Sequence, residues 1–573
     1  MADLISRIYS NFRGCDFRGE EINIVRSPDS LNMWKDYKET ESIRTRPGLE
    51  ENMPFDDIVY GIFFYKNEMI VHSGTNLYKV KDKLKTSLYS GLKAAPSNSF
   101  VYDGVFYFKD GKHYLKYDGS TIEPVVGYVP TTSISRKPMG GGTKFEDVNM
   151  LSDYRKNSFR ADGGSFDFFL DVMNIDEDFV PVVTYNDEPV VESEYEVDYK
   201  AGKITFLHTA PNSPLTDGQD NVEVKFKKAL VDENGEKKYY NAIMECTLLQ
   251  VFDNRVFFSG NDEYPNMVWH CSLNDPSYVS DLDYYNEGMD EAKVKGLVAG
   301  NNALWVFREP SDSNTTVFYH TPSIDDEYGK IYPSAHSSVT TGCVGKAINF
   351  NDDIVFFSER GMEGISGDVT TEQVVAHRSS LVDSKLLPKT KEERNAYENM
   401  VLAEWEGYLM VFIGNKAYLA DSRAMFTNEN HAEYEWFYWS FGKRITCATV
   451  KDNILYLGTS DGVYTLTDTE ADVECYWVTP KDKFKHPHKR KTTNKKGSVV
   501  EAEGEEIYVY AKTNEDEDFT LIGTYKDVRD AFTCRIKKKK WKDIQLKFYS
   551  PKMFRLESAT LEAYIGAYLK NLT

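Results

Sequence analysis

The chain has 573 residues, of which 41% are hydrophobic and 14% aromatic, and its formal net charge is −22. That apolar content supplies several cores and excludes a disordered chain, while the negative charge repels nucleic acid at long range. Seven cysteines lie scattered with no CxxC pair, which argues against a zinc ribbon and a disulfide scaffold and fits a reducing compartment.

Residues 1–21 have charges spread through them and no apolar h-region, so no signal peptide is expected. No run of about 18 apolar residues follows, so no membrane-spanning helix is expected either. Tyr (38) and Phe (33) are abundant, which favours strands.

From about residue 56 one pattern recurs. An aromatic or β-branched strand meets a tight Asn, Asp or Gly turn, then a second strand ends near Gly or Ser. Ile62-Phe63-Phe64-Tyr65 turns at Lys66-Asn67, and Phe100-Val101-Tyr102 turns at Asp103-Gly104. The same pattern turns near 253, 301, 352, 406 and 452. Such turns tolerate positive φ, as two-residue hairpins between twisted strands require. Most spacings are near the roughly 40–50 residues of a propeller blade, with one long gap between 103 and 253. The short alternating strands at 195–226 read as a small sandwich filling that gap. Thr390-Lys391-Glu392-Glu393 has the spacing of a capping box and predicts a surface helix between blades.

The expected fold is therefore all-β: a β-propeller of six or seven blades with an inserted β-sandwich and a C-terminal β-sandwich. The expected segments are 1–55, packing on the propeller; 56–147, the first blades; 148–229, the inserted sandwich; 230–473, the remaining blades; and 474–573, a basic C-terminal sandwich. Residues 474–573 hold 21 Lys and Arg against 15 Asp and Glu, a net of +6, which leaves −28 for the rest.

A search for chemistry finds little. Gly345-Lys346 lacks the first glycine and the hydroxyl of a P-loop. There is no HExxH and no GxSxG. His486-Pro487-His488 has no carboxylate or cysteine at ligand spacing, and the turn at 232–236 lacks the ligand register of a calcium loop. Carboxylates are too many for a glycosidase pair to be picked out. No enzyme activity, no cofactor and no metal are expected. The basic residues Lys489, Arg490 and Lys491, and Lys537, Lys538, Lys539 and Lys540 beside Trp541, form candidate contact sites. Such a cluster could grip phosphate and stack a base, or it could be a lysine-studded strand edge that blocks aggregation. The edge is the reading adopted.

Three phrases carry a family resemblance: Phe12-Arg13-Gly14, then Ser27 to Met33, then Arg44-Thr45-Arg46-Pro47-Gly48. With Arg255 to Asp281, which contains Tyr264-Pro265-Asn266 and Asp275-Pro276, the chain resembles the nozzle proteins of tailed-phage virions. That group includes tail tubular protein B and the packaged-DNA stabilisation proteins. The resemblance implies a homohexameric ring below the portal and adaptor, located in the virion tail and assembled in host cytoplasm. It also implies phage adaptor or portal and tail fibre or needle proteins as partners, transient non-specific contact with DNA in the channel, and DNA retention and ejection. Arg46, Pro47 and Gly48 join the candidate contacts on this ground. The competing expectation is a carbohydrate-binding or glycan-cleaving propeller used in host recognition.

Overall fold

The computed structural model describes residues 3–38, 42–229, 242–326, 329–366, 373–428, 431–468 and 472–568. The acidic turn at 232–236 lies outside them. Two compact units are present, one made of Met1–Ser90 with Ser337–Thr573 and the other of Gly91–His336. This division cuts across the five segments read from the sequence.

In the first unit, Val59–Tyr65, Glu68–Ser73, Asn76–Lys81 and Leu84–Ser90 form an antiparallel four-stranded sheet. Ala347–Phe350, Asp353–Ser358, Gly361–Ser366 and Val374–His377 form another, and four consecutive strands from Val401–Trp405 to His431–Ser440 a third. Cys447–Lys451, Ile454–Gly458 and Gly462–Thr467 make a fourth, whose last strand is Gly48–Pro54 from the start of the chain. The second unit holds three more such sheets, opening at Asn98–Tyr102, Leu248–Phe252 and Val294–Gly300.

Among the described residues there are thus seven blade sheets, and the fold is an all-β propeller type carrying two sandwiches. Each blade begins with one of the seven predicted hairpins. At every one of those turns both central residues have positive φ, from Lys66 (47°) and Asn67 (62°) to Asp452 (50°) and Asn453 (63°). The turn chemistry therefore works as local sequence dictates.

The inserted sandwich starts earlier than residue 148. Thr131–Arg136 lies parallel to Tyr154–Phe159, which pairs with Val222–Lys227. A three-stranded sheet of Asp167–Phe169, Lys203–Phe206 and Tyr195–Asp198 completes the layer. Phe159, Phe168, Val183, Ile204, Val224 and Phe226 fill its core, and Val222–Lys227 alternates buried and half-buried, the period-two signature of a one-sided strand.

The C-terminal sandwich is built on two long strands, Ser498–Thr513 and Phe554–Tyr568. Its core includes Trp477, Trp541, Ile507, Phe548 and Leu561. The N-terminal segment does more than lie on the propeller. Leu4–Tyr9 and Ile43–Thr45 both pair with Phe554–Tyr568 before Gly48–Pro54 closes the blade. The predicted helix forms as Lys391–Glu398. Thr390 Oγ1 accepts from the Glu393 amide at 3.2 Å, and Glu393 accepts from the Lys389 amide at 2.8 Å.

Candidate functional site

Arg46, Pro47 and Gly48 are buried. The Arg46 guanidinium donates to Asn32 Oδ1 at 3.0 Å, to the Pro47 carbonyl at 2.7 Å and to the Ser440 carbonyl at 2.9 Å. It also lies 4.5 Å from the Phe441 ring centroid, a cation–π contact. Burial lowers its pKa to about 10. These residues tie the N-terminal segment to the blade that ends at Ser440, so their expected contact with a partner is corrected to an internal one.

The basic C-terminal cluster divides in the same way. Lys491 is buried, and its ammonium donates to the carbonyls of His486 and Lys489 at 2.8 and 2.9 Å. It sits 5.4 Å from the ring of Trp541, which is itself 0% exposed. Trp541 is core, and its burial closes the alternative in which it stacks a base. Lys538 is half-buried, with its ammonium 2.8 Å from Asp516.

The segment 535–540 is a loop between Ala531–Cys534 and Ile544–Ser550, not a strand edge. It is pinned along Lys489–Thr493. The Thr493 amide donates to the Lys538 carbonyl at 3.0 Å, and Lys491 and Trp541 exchange backbone bonds of 2.8 and 3.0 Å. Above this base Arg490, Lys537, Lys539 and Lys540 are exposed, and among the described residues none of the four has an ion pair. Lys489 is half-buried beside them.

Two histidines, His320 and His377, are held by carboxylates in structural roles. His320 and Glu287 are fully buried with Nε2 2.7 Å from Oε1. The other ring nitrogen is 2.9 Å from the Tyr332 carbonyl, and Ser334 donates to Glu287, not to the histidine. A nucleophile needs a base with a free lone pair beside the hydroxyl, and this arrangement supplies none. His377 lies between Asp383 at 2.6 Å and Glu363 at 3.4 Å. Burial alone would lower its pKa, but the two carboxylates prevail and raise it to about 10, so it stays protonated at neutral pH. Burial pushes the thiols of Cys15, Cys246, Cys271, Cys447 and Cys475 up to about 12, which leaves them poor nucleophiles. Among the described residues no group of three His, Cys, Asp or Glu side chains is placed to hold a metal ion.

The stretch Arg255 to Pro276 is blade strand and ordered loop. Asn261 Oδ1 accepts from the amides of Glu263 and Tyr264, and Asp275 Oδ1 from the amide and hydroxyl of Ser277. These are local turn devices.

One site escaped the sequence reading. In the second unit a cavity of about 340 Å3 is bounded by Thr132, Ser133, Arg136, Arg155 and Asp171 of the sandwich, by Gly142, Lys144, Glu146, Asp147 and Val148, and by Asp281-Leu282 of the blade loop. Gly142, at φ +98°, leaves no room for a side chain, since a Cβ there would meet Arg136 Cγ at 2.5 Å. Arg136 donates to Ser133 Oγ and the Phe169 carbonyl. Asp171 accepts from Thr132 Oγ1 at 2.6 Å, and Lys144 pairs with Asp147. Arg155 is only 7% exposed, with a single bond of 3.3 Å to the Lys228 carbonyl. Its Nε has no partner among the described residues. Burial, then the neighbouring Asp147, raises the pKa of Asp281. Of the glycine run Gly140-Gly141-Gly142 only Gly142 reaches its wall, and nothing in the run marks a cavity.

No family model matches the chain, and no curated protein matches it in sequence. Among solved structures, the computationally designed Ika8 protein aligns at 11% identity over 73% of this chain and 98% of its own, with a TM-score of 0.33. BamB from Moraxella catarrhalis aligns at 8% identity over 76% and 93%, with a TM-score of 0.32. An exo-β-1,3-galactanase from Phanerochaete chrysosporium aligns at 10% over 58% and 98%, with a TM-score of 0.21.

Proposed function

We propose that this chain is a non-catalytic structural protein of a tailed phage particle, a self-associating tail ring of the nozzle type that retains packaged DNA and lets it leave. The sequence phrases that resemble nozzle proteins support this reading. The observation that carries it is the basic ledge of Arg490, Lys537, Lys539 and Lys540, exposed on an otherwise acidic chain. The ledge is pre-formed, because Lys491, Lys538 and Trp541 beneath it are packed and bonded. A fixed cationic surface suits docking on an acidic protein neighbour, where complementary charge speeds encounter and sets orientation. The acidic remainder suits a channel through which DNA slides without sticking.

The test is Arg490, Lys537, Lys539 and Lys540 changed together to Glu. Mass photometry of the purified wild type is expected to give a hexamer. Phage carrying the variant are expected to fail at tail assembly while the protein keeps its wild-type circular dichroism. Particles that assemble normally but leak DNA would show that the ledge grips DNA. A wild-type chain that stays monomeric with every tail component added would end the ring reading.

A further inference from the structure

The strand Leu4–Tyr9 is an open sheet edge. Among the described residues its backbone pairs only with Phe554–Tyr568, in unbroken antiparallel register from Leu4 opposite Tyr564 to Tyr9 opposite Ala559. The Ile565 amide donates to the Asp3 carbonyl at 2.9 Å, so Asp3 and Ile565 are a hydrogen-bonded pair, and bonded and non-bonded pairs alternate from there. Ile5 and Arg7 therefore turn their N–H and C=O groups toward Ala563 and Leu561. Leu4, Ser6 and Ile8 turn theirs outward, where among the described residues no hydrogen bond is made to them. The same three side chains stand on the solvent face. Leu4 is 51% and Ile8 55% exposed, with exposed Ser6 between them. Ile5 and Tyr9 instead pack on the sandwich core, and Arg7 holds Asp482.

An open edge is a template for another strand, and proteins guard such edges with lysine, proline or a bulge. Leu84–Ser90, the edge of the first blade sheet, carries exposed Lys85 and a register break. The outward residues of Leu4–Tyr9 carry no such guard. They are also symmetric, because the isomeric side chains of Leu4 and Ile8 flank Ser6. An antiparallel copy of the same strand centred on Ser6 sets Leu4 opposite Ile8 of the second copy and Ser6 opposite Ser6. Every outward N–H and C=O then has a partner, two bonds in each facing pair. The Leu–Ile pairs add cross-strand apolar contact, and no charge faces a like charge. Any other antiparallel register leaves one outward residue without a partner in the strand.

We propose that Leu4–Tyr9 pairs with the same strand of a second copy of this chain about a two-fold axis at Ser6, which joins two C-terminal sandwiches through one continuous sheet. The inference stands apart from the ring reading, since a ring closes through head-to-tail contacts and this contact is two-fold. One strand from each copy makes a small interface, so the pair forms in proportion to concentration.

The test is oxidative cross-linking of the full chain carrying Ser6→Cys, Leu4→Cys or Ile8→Cys, with wild type as the background for its native thiols. Facing residues of a hydrogen-bonded pair have Cα atoms about 5.5 Å apart, within the span of a disulfide. Ser6→Cys is expected to give a covalent dimer. Leu4→Cys and Ile8→Cys are each expected to give none alone and a dimer when mixed. The Ser6 N–H points outward, so Ser6→Pro leaves the ladder to Phe554–Tyr568 intact and blocks the new one. It is expected to raise the dimer dissociation constant in sedimentation by about tenfold or more with unchanged circular dichroism. If Ser6→Pro does not fold, the cysteine series decides alone. The proposal fails if Ser6→Cys stays monomeric, if all three cysteines cross-link alike, if Ser6→Cys links only to a different protein, or if folded Ser6→Pro associates as wild type does. A hexamer without the Ser6 cross-link ends this inference and keeps the ring, and a Ser6 cross-link in a chain that never forms a hexamer does the reverse.

Discussion

Arg46 and Arg155 are both buried guanidiniums, and their surroundings differ in one respect. At the junction of the N-terminal segment, Arg46 donates to three oxygens and has an aromatic ring beside it. Beside the inserted sandwich, Arg155 has among the described residues one long bond and an unpartnered Nε, and it bounds an open cavity. Burial depresses the pKa of both, Arg46 to about 10. A buried cation whose donors are all used is a structural tie. One that leaves a donor unused holds the fold less tightly. Burial alone does not separate the two, and the partner inventory does.

The largest effect should come from breaking the tie. Arg46→Met takes the guanidinium donors from the Pro47 and Ser440 carbonyls and leaves Asn32 Oδ1 only the Ser440 amide, and should cost about 3 kcal/mol. Hydrogen exchange in peptides from 43–54 and 431–440 is the readout, because a chain of two compact units need not unfold in one step. Unchanged protection there would mean that the junction does not depend on Arg46.

Lys491 is an intermediate case, a buried cation with two carbonyl partners. Lys491→Met should cost about 1–2 kcal/mol at neutral pH. Burial lowers its pKa to about 8 from 10.5. Between those values the unfolded chain holds more protons than the folded one, so stability rises with pH. Urea titrations of wild type between pH 8 and 10 should show that rise, and the Met variant should lack it. Equal slopes would show that Lys491 is solvated in the folded state.

Arg155→Met should have the smallest effect on stability, within about 1 kcal/mol in either direction, because it removes a buried charge that makes little use of its donors. Thermal unfolding reads this directly. A loss as large as that at Arg46 would show that Arg155 is a second structural tie, and the comparison between the two arginines would collapse.

What the sequence alone determined is what local chemistry governs. Asn, Asp and Gly pairs accept positive φ, so the seven hairpins could be placed at 66, 103, 253, 301, 352, 406 and 452, and their spacing pointed to blades. Thr390 and Glu393 announced the helix for the same local reason. Tertiary structure decided whatever depends on partners far along the chain. Thr131–Arg136 joins the insertion because it lies parallel to Tyr154–Phe159, and Leu4–Tyr9 reaches the C-terminal sandwich by pairing more than 500 residues away. Composition could not separate Lys491 and Trp541, which became core, from Lys537, Lys539 and Lys540, which stayed in solvent. A lysine in sequence is a charge without an address, and only the packing around it decides whether that charge meets a carbonyl, a ring or water. The cavity at Arg155 was illegible for the same reason. Its walls come from residues 132–171 and 281–282, and no local pattern records that they meet.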